Sequence, residues 1–224
     1  MKTNNSLLLI NLLLVSHSYA GQGFGQIQQI RDYSTLFQVE GNISVIDQIG
    51  DNHSAFIEQV GLNNSIATLQ TGLSSEFYIE QVGEQNTATL TQDGGNHYAT
   101  IKQFGELNQS YVQQSGTDNW AYVLQNGAEH WAAIEQFGFA NLATVEQAGY
   151  QQEAYISQQG EQNTIQLEQY DASNQAIITQ QGNQNNADLT QNGVDNYAAI
   201  YQYGDGNKIS ISQQGNEFLE ITQE

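Results

Sequence analysis

The sequence has no cysteine and no proline, and it has 4 Lys and Arg residues against 24 Asp and Glu residues. Without cysteine, a disulfide framework, a thiol nucleophile and a cysteine metal cage are excluded. A formal net charge of −20 argues against binding to nucleic acid or to an anionic membrane surface, because both partners are themselves negative. Proline removes a backbone donor and is kept out of central strands, so its absence fits a chain whose N–H groups all serve a sheet.

The first twenty residues have the pattern of a secretory signal. Lys2 gives a positive start, residues 7–15 are apolar except for Asn11, and Ser18, Tyr19 and Ala20 precede a cleavage site that we predict after Ala20. The apolar stretch is too short to span a bilayer, and no later stretch is longer. The sequence therefore predicts a signal peptide over residues 1–20 and an exported product without a membrane span.

The rest of the chain is built on a repeat of eleven residues. Glutamine recurs at this interval, without an insertion, sixteen times: Gln48, Gln59, Gln70, Gln81, Gln92, Gln103, Gln114, Gln125, Gln136, Gln147, Gln158, Gln169, Gln180, Gln191, Gln202 and Gln213. Glycine stands two residues after each of them, with the exception of Asp171. A disordered Gln/Asn-rich tract has no reason to keep such a phase, so the repeat predicts a regular structure.

The spacing within each unit has the period of a β-strand. After the glycine come asparagine at offset 3, alanine at offset 5, an aliphatic residue at offset 7 and glutamine at offset 9. The asparagines that we select for a structural role are Asn86, Asn108, Asn119, Asn141 and Asn163. Period two places these residue types on one face, while the mixed residues at offsets 4, 6 and 8 form a solvent face. The glycine and its polar neighbours are expected to supply the turn after a strand of about six or seven residues.

Such short strands cannot bury an apolar stripe alone, so successive units must cover one another. Winding two units into each coil stacks identical inward residues, which favours an all-β fold: a β-solenoid of about eight 22-residue strand-turn-strand coils with cross-β stacking. The inward Gln and Asn amides then form hydrogen-bonded ladders, because each carries both a donor and an acceptor. No capping element is evident at either end, so we expect open ladder ends and growth by end-to-end stacking.

Residues 75–92 match the curlin repeat, Ser-x5-Gln-x-Gly-x2-Asn-x-Ala-x3-Gln, at every fixed position, and the chain resembles the curlin family over residues 42–224. The resemblance implies an exported bacterial subunit that polymerises outside the cell into amyloid (curli) fibres of the biofilm matrix. It implies as partners other copies of the chain, other curlin subunits, and an outer-membrane secretion pore with its accessory factors. The segment that the pore reads would correspond to residues 21–41.

Two features make the chain similar to the minor, nucleating curlin subunit rather than to the major one. Its turns contain little glycine, and its strands are rich in Ala and Ile. The last unit is irregular, with Phe218 and Glu220 where the pattern expects Asn and Ala, and with Gln223 one residue early. We therefore expect a fibre subunit or nucleator with nucleator-like traits.

The remaining candidate sites have simpler explanations. His53, His97 and His130 all occupy the asparagine offset, so we interpret them as substitutes in the ladder and predict no metal and no cofactor. No catalytic arrangement emerges, which predicts that the protein is not an enzyme. The alternative function is a monomeric ligand-binding solenoid, either for ice through Thr87, Thr89 and Thr91 or for glycans. Outward aromatic residues would serve an adhesive surface or a glycan site, and the candidates are Phe56 with Tyr78, or Trp120, Tyr122 and Trp131.

Overall fold

The computed structural model describes residues 41–224 and the backbone of residues 26–33. All regular structure in this part of the chain is β-strand, and none of it is a helix long and apolar enough to cross a membrane. The strands form two parallel nine-stranded sheets that enclose one core. We name them the odd sheet (β1, β3 and so on to β17) and the even sheet (β2, β4 and so on to β18). This confirms the predicted β-solenoid of about eight 22-residue coils.

The strands of the odd sheet are β1 (Gln26–Tyr33), β3 (Ser54–Leu62), β5 (Glu76–Glu84), β7 (Tyr98–Glu106), β9 (Trp120–Ala128), β11 (Leu142–Tyr150), β13 (Thr164–Ala172), β15 (Asn186–Asn192) and β17 (Lys208–Gln214). The strands of the even sheet are β2 (Ile43–Asp51), β4 (Ser65–Leu73), β6 (Thr87–Gly95), β8 (Gln109–Thr117), β10 (Trp131–Phe139), β12 (Glu153–Glu161), β14 (Gln175–Asn183), β16 (Tyr197–Tyr203) and β18 (Phe218–Gln223).

Residues that recur in the sequence stack on their own kind in space. Each strand pairs with the one a coil away, so that Ala132 lies beside Ala154, Ile134 beside Ile156 and Gln136 beside Gln158. The alanine and aliphatic columns of the two sheets meet in the interior, where nearly all of these side chains are fully buried. The alternation of apolar and variable residues thus produces one continuous core along the solenoid.

In β2 to β14 the repeated glycine lies within the strand and not in the turn, which corrects our expectation of shorter strands, whereas Gly193, Gly204 and Gly215 directly follow the shorter β15, β16 and β17. Most strands have nine residues, and the glycine is the eighth of them. At Gly105, whose φ is +115°, an added Cβ would lie 1.9 Å from the carbonyl oxygen of Gly127 in the next coil. The turn itself is made two residues later, where Leu107 has a φ of 58° and its N–H bonds to the carbonyl oxygen of Glu84 at 3.0 Å. Glycine is required here for the close approach of stacked backbones.

The single unit without this glycine is the place where the regular stacking weakens. Asp171 has a φ of 77°, and its carboxylate accepts a hydrogen bond from the N–H of Gly193 at 3.0 Å. The next strand of the same sheet, β15, has only seven residues. The strands that follow this unit are shorter in both sheets, since β16 also has seven residues.

The last unit is regular in space although it is irregular in sequence. The turn before β18 is one residue short, so the Gln202 amide bonds to Gln223 across a separation of 21 residues. Leu219 pairs with Ala198, and Ile221 pairs with Ile200. Our alignment of Phe218 and Glu220 with the Asn and Ala positions was therefore wrong, because the shortened turn restores the register.

The N-terminal strand β1 was not predicted as a strand. It lies within the segment of residues 21–41 and pairs in parallel with β3, with a register shift between Ile27 and Gln29. It therefore forms the N-terminal edge of the odd sheet, whereas β2 forms that edge of the even sheet. The predicted signal peptide, residues 1–20, lies outside the described residues, and the proposed role of residues 21–41 in secretion stays a prediction.

Candidate functional site

All sixteen predicted glutamines lie in two buried columns, one in each sheet. Apart from Gln213, each amide Nε2 donates to the Oε1 of the glutamine one coil further along the chain, at 2.7–3.0 Å. The column of the even sheet contains Gln48, Gln70, Gln92, Gln114, Gln136, Gln158, Gln180 and Gln202, and the column of the odd sheet contains Gln59, Gln81, Gln103, Gln125, Gln147, Gln169, Gln191 and Gln213. Neither ladder is interrupted.

The glutamine amides also tie the two sheets together. The second N–H of Gln103 donates to the carbonyl oxygen of Thr87 in the even sheet at 2.9 Å, and that of Gln136 donates to Trp120 in the odd sheet at 3.0 Å. Because the Nε2 always points toward the next coil, each ladder has a direction from the N-terminal to the C-terminal end. An unpaired buried amide would cost about 1–3 kcal/mol, so each glutamine depends on the coils on both sides.

The five predicted asparagines lie at the two corners of the solenoid, with Asn86 and Asn108 in one column and Asn119, Asn141 and Asn163 in the other. The Asn86 Oδ1 accepts the backbone N–H of Asn108 at 3.1 Å, and the Asn86 Nδ2 donates to the carbonyl oxygen of Gly105 at 2.8 Å. The side chain therefore satisfies the backbone groups that the turn leaves without a partner in the strands.

The three histidines occupy the asparagine columns and are buried. The His130 Nδ1 accepts the backbone N–H of Gln152 at 3.3 Å, and its Nε2 lies 3.3 Å from the carbonyl oxygen of Asn126. The neutral ring with its proton on Nε2 satisfies both contacts, and burial lowers the pKa of His97 and of His130. Among the described residues, no group of three or more acidic or histidine side chains is arranged to hold a metal ion.

Substitution of asparagine weakens the corner columns at two points. The buried Nδ1 of His97 and the buried Oε1 of Gln152 have no hydrogen-bond partner within the described part of the chain. The Gln152 Nε2 donates to the carbonyl oxygens of Ala148 at 2.6 Å and of Asp171 at 3.3 Å, so only the Oε1 fails to reach the next backbone N–H. Asparagine has the side-chain length that reaches both the next backbone N–H and the glycine carbonyl, which explains its recurrence at this position.

Several residues of the ladders were not among the predicted site residues. Asn64, Asn174, Asn185, Asn196 and Asn207 follow the same spacing and make the same kind of contact, so the repeat itself was a sufficient signal. Gln223 extends the even ladder, since its Oε1 accepts from Gln202 at 2.7 Å. It was missed because a one-residue deletion shifts it out of the sequence phase.

The outward face of the solenoid carries aromatic pairs and charges. Phe56 and Tyr78 stack with ring centroids 4.8 Å apart, and Lys102 lies 3.5 Å from the Glu80 carboxylate and 5.2 Å from the centre of the Tyr78 ring. Burial, together with the hydrogen bond to Glu80, raises the pKa of Tyr78 to about 12. These contacts are the cross-strand stacking that neighbouring coils impose.

The aromatic residues that we considered as a glycan platform do not form one surface. Trp120 and Tyr122 lie on the odd sheet, whereas Trp131 lies on the even sheet. Trp131 instead lines a shallow groove at the corner, together with Glu129 and Glu153. Both carboxylates already accept hydrogen bonds from neighbouring side chains, which occupy part of their binding capacity.

The C-terminal end of the solenoid leaves its inward side chains incompletely covered. Ile209 and Ile211 of β17 are only partly buried, as are Leu219 and Ile221 of β18, whereas the same columns are fully buried in the central coils. Phe218 is 74% exposed. The last coil therefore presents an apolar stripe beside the open edges of two strands.

Comparison with known families agrees with this arrangement. The family model described as the curlin associated repeat matches residues 83–116, 111–138, 140–170 and 182–215, which together make up more than half of the chain. Comparison with curated proteins gives no match.

Proposed function

The chain belongs to the curlin repeat family, and we propose that it is a secreted structural subunit or nucleator of extracellular amyloid (curli) fibres. In this function each molecule adds to the end of another by strand pairing, and the Gln ladder of the even sheet continues from one subunit to the next. The fibre serves the biofilm matrix and adhesion. Its location is the bacterial cell surface, and its partners are further copies of the chain, other curlin subunits and the outer-membrane secretion pore with its accessory factors.

The observation that carries the proposal is the state of the last coil. Its inward Ile209, Ile211 and Ile221 are half-covered, although identical positions in the central coils are sealed by neighbours on both sides. Parallel strands of identical pattern are the arrangement of a cross-β fibre, in which every backbone group pairs with the chain above and below. A further coil laid on β17 and β18 would bury the remaining apolar surface.

The C-terminal coil also supports a nucleating role. Its turn is one residue short, yet Leu219, Ile221 and Gln223 keep the register of the core and the ladder. A nucleator needs an open strand edge with which an unfolded chain can pair, and β18 is such an edge. Seeding a bulk curlin subunit with this protein at a low molar ratio tests this role, since a nucleator shortens the lag and a bulk subunit that merely copolymerises does not.

Two variants in one strand test the fibre function. Gln114 lies in the ladder and is fully buried, whereas the preceding Gln113 faces outward and accepts a hydrogen bond from Tyr111. We expect Gln114→Ala to lengthen the lag of fibre formation severalfold, while Gln113→Ala leaves it close to that of the parent. The readouts are thioflavin fluorescence and the 4.7–4.8 Å reflection of cross-β fibres. Equal lags in the two variants would contradict assembly through the ladder.

A monomeric ligand-binding solenoid is the alternative function. For ice binding, the outward Thr87, Thr89 and Thr91 would have to recur in adjacent coils, but they pair with Gln109, Tyr111 and Gln113 on one side. The groove beside Trp131 is the observation that favours a glycan. A purified protein that stays monomeric without seeds, and binds a soluble glycan, would support this alternative against the fibre function.

A further inference from the structure

The two sheets contain unequal numbers of repeat-derived strands. Within residues 41–224, the strands that follow the eleven-residue repeat are β2 to β18, and nine of them lie in the even sheet but only eight in the odd sheet. The ninth strand of the odd sheet is β1, which comes from outside the repeat and pairs with β3. With β1 in place, both sheets have nine strands.

This balance decides whether subunits can be stacked without a gap. When identical subunits stack end to end, each must add the same number of strands to both sheets, because the rungs of the two sheets advance together along the solenoid. A subunit consisting of β2 to β18 adds one strand more to the even sheet. If β18 then pairs with β2 of the next subunit, the odd sheet has an empty rung between β17 and the next β3.

We propose that β1 is the joining strand of the fibre. It lies between β3 of its own subunit and β17 of the preceding one, while β18 of the preceding subunit pairs directly with β2. This inference rests on the proposed fibre function and assigns residues 26–33 to the interface between two copies of the chain. The junction then has the same strand count in both sheets, so the solenoid continues through it.

The junction requires that the glutamine ladder can end in the odd sheet and continue in the even sheet, and the ends of the two ladders differ in this respect. In the odd sheet both ends are satisfied within the chain: the Ser44 hydroxyl donates to the Gln59 Oε1 at 2.7 Å, and the Gln213 Nε2 donates to the carbonyl oxygens of Tyr197 and Glu217. A strand without a ladder glutamine can therefore be inserted there. In β1 the residue in register with Gln59 is Asp32, and no glutamine takes that place.

In the even sheet both ends of the ladder remain available. The Gln223 Nε2 donates one bond, to the carbonyl oxygen of Lys208 at 3.3 Å, which leaves its second N–H for another acceptor. At the other end, the Gln48 Oε1 has no donor among the described residues, while the Gln48 Nε2 donates to Gln70 at 2.7 Å. A donor at the C-terminal end and an acceptor at the N-terminal end match when β18 is placed directly on β2.

The burial of the two even-sheet edges is also unequal. Ile46 of β2 is 1% exposed although β2 is the last strand of its sheet, whereas Ile221 of β18 is only partly buried. At the N-terminal end the odd sheet extends one rung further, through β1. At the C-terminal end the odd sheet stops at β17, and β18 has no strand opposite its outer side. The β1 of a following subunit fills this position.

Hydrogen exchange in fibres of the full chain tests the inference. The N–H groups of successive residues in a strand point to opposite sides, so a strand at an edge protects alternate amides and a strand between two others protects them all. We expect every amide of residues 29–33 to be protected in the fibre as strongly as those of β9. Exchange at alternate amides, or at all of them, would overturn the joining role of β1 while leaving the fibre function intact. Absence of fibres would instead contradict the proposed function.

Two neighbouring proline variants provide a second test. Because proline lacks the N–H, one of Ile30→Pro and Arg31→Pro removes a bond toward β3 and the other removes a bond toward the preceding subunit. We expect both to slow elongation from parental seeds: one loses an interfacial hydrogen bond, which predicts a slowing of about tenfold or more, and the other loosens β1 from β3 of its own subunit. The matched control is Gln22→Pro, which precedes β1 and should elongate like the parent. Parental elongation in both strand variants would overturn the inference.

Discussion

The central coils and the last coil have the same residue pattern but different degrees of burial. In β10 and β12, Ile134 and Ile156 are fully buried, and their glutamines bond to ladder neighbours on both sides. In β17 and β18, the equivalent Ile211 and Ile221 are partly exposed. The residue pattern of a unit is therefore not sufficient to bury its inward side chains, because their burial also depends on the coil that follows. The stability of each rung is largely a property of its neighbours.

The largest expected difference between centre and end concerns glycine. Gly105→Ala introduces a Cβ 1.9 Å from the carbonyl oxygen of Gly127, whereas an added Cβ at Gly215, in the last coil, meets no atom within 4 Å. We expect Gly105→Ala to destabilise the fold by more than about 4 kcal/mol. Gly215→Ala should cost about 1–2 kcal/mol, because its φ of +71° is still unfavourable for alanine. Guanidinium denaturation midpoints measure both, and equal midpoints would show that the glycine column does not require close approach.

A smaller difference is expected for the aliphatic column, and it should depend on assembly. Ile134→Ala removes a fully buried side chain and should cost about 2–5 kcal/mol in any state of the folded protein. Ile221→Ala removes a partly exposed one, so its cost should be about 1 kcal/mol before assembly and should approach that of Ile134→Ala in the fibre. Denaturation of short seeds and of long fibres separates these cases. If the loss of stability in Ile221→Ala were independent of fibre length, the last coil would not become buried on assembly.

The smallest expected effect is a dependence on pH that is confined to the central coils. Burial lowers the pKa of His130, so the unfolded chain binds the proton more readily, and the contribution of this ring is lost as the pH falls below about 6.5. Protonation also places a second donor against the N–H of Gln152. The nearby Glu129 carboxylate accepts bonds from Tyr150 and Gln151.

We expect His130→Asn to retain more of its stability than the parent between pH 7 and pH 5, because Asn108 shows that asparagine fits the same column. The measurement is the shift of the denaturation midpoint of each protein over that range. Comparison at each pH removes the general effect of neutralising carboxylates, which both proteins share. Parallel midpoint curves for the two proteins would exclude a contribution of His130 to acid sensitivity.

Much of the fold was predictable because the repeat is strict. The offsets of asparagine, alanine, aliphatic residue and glutamine defined the inward face, and they placed Gln114 and Asn141 in columns as the structure has them. The position of the glycine was predicted less well, since a turn and a close backbone contact both favour this residue. Gln223 was missed because one deleted residue shifts the sequence phase, while the turn absorbs the change in space.

The sequence by itself determined the period, the inward residues and the coil of 22 residues, because side-chain direction in a strand alternates with every residue and identical amides satisfy one another only when stacked. Only the tertiary structure decided the directions and ends of the ladders. The odd sheet closes its ladder on Ser44 and Glu217, whereas the even sheet leaves Gln48 and Gln223 available. This difference depends on distances between strands, which no local sequence pattern encodes. The place of β1 beside β3 is decided in the same way, since pairing between strands from distant parts of the chain depends on which edge is left to receive them.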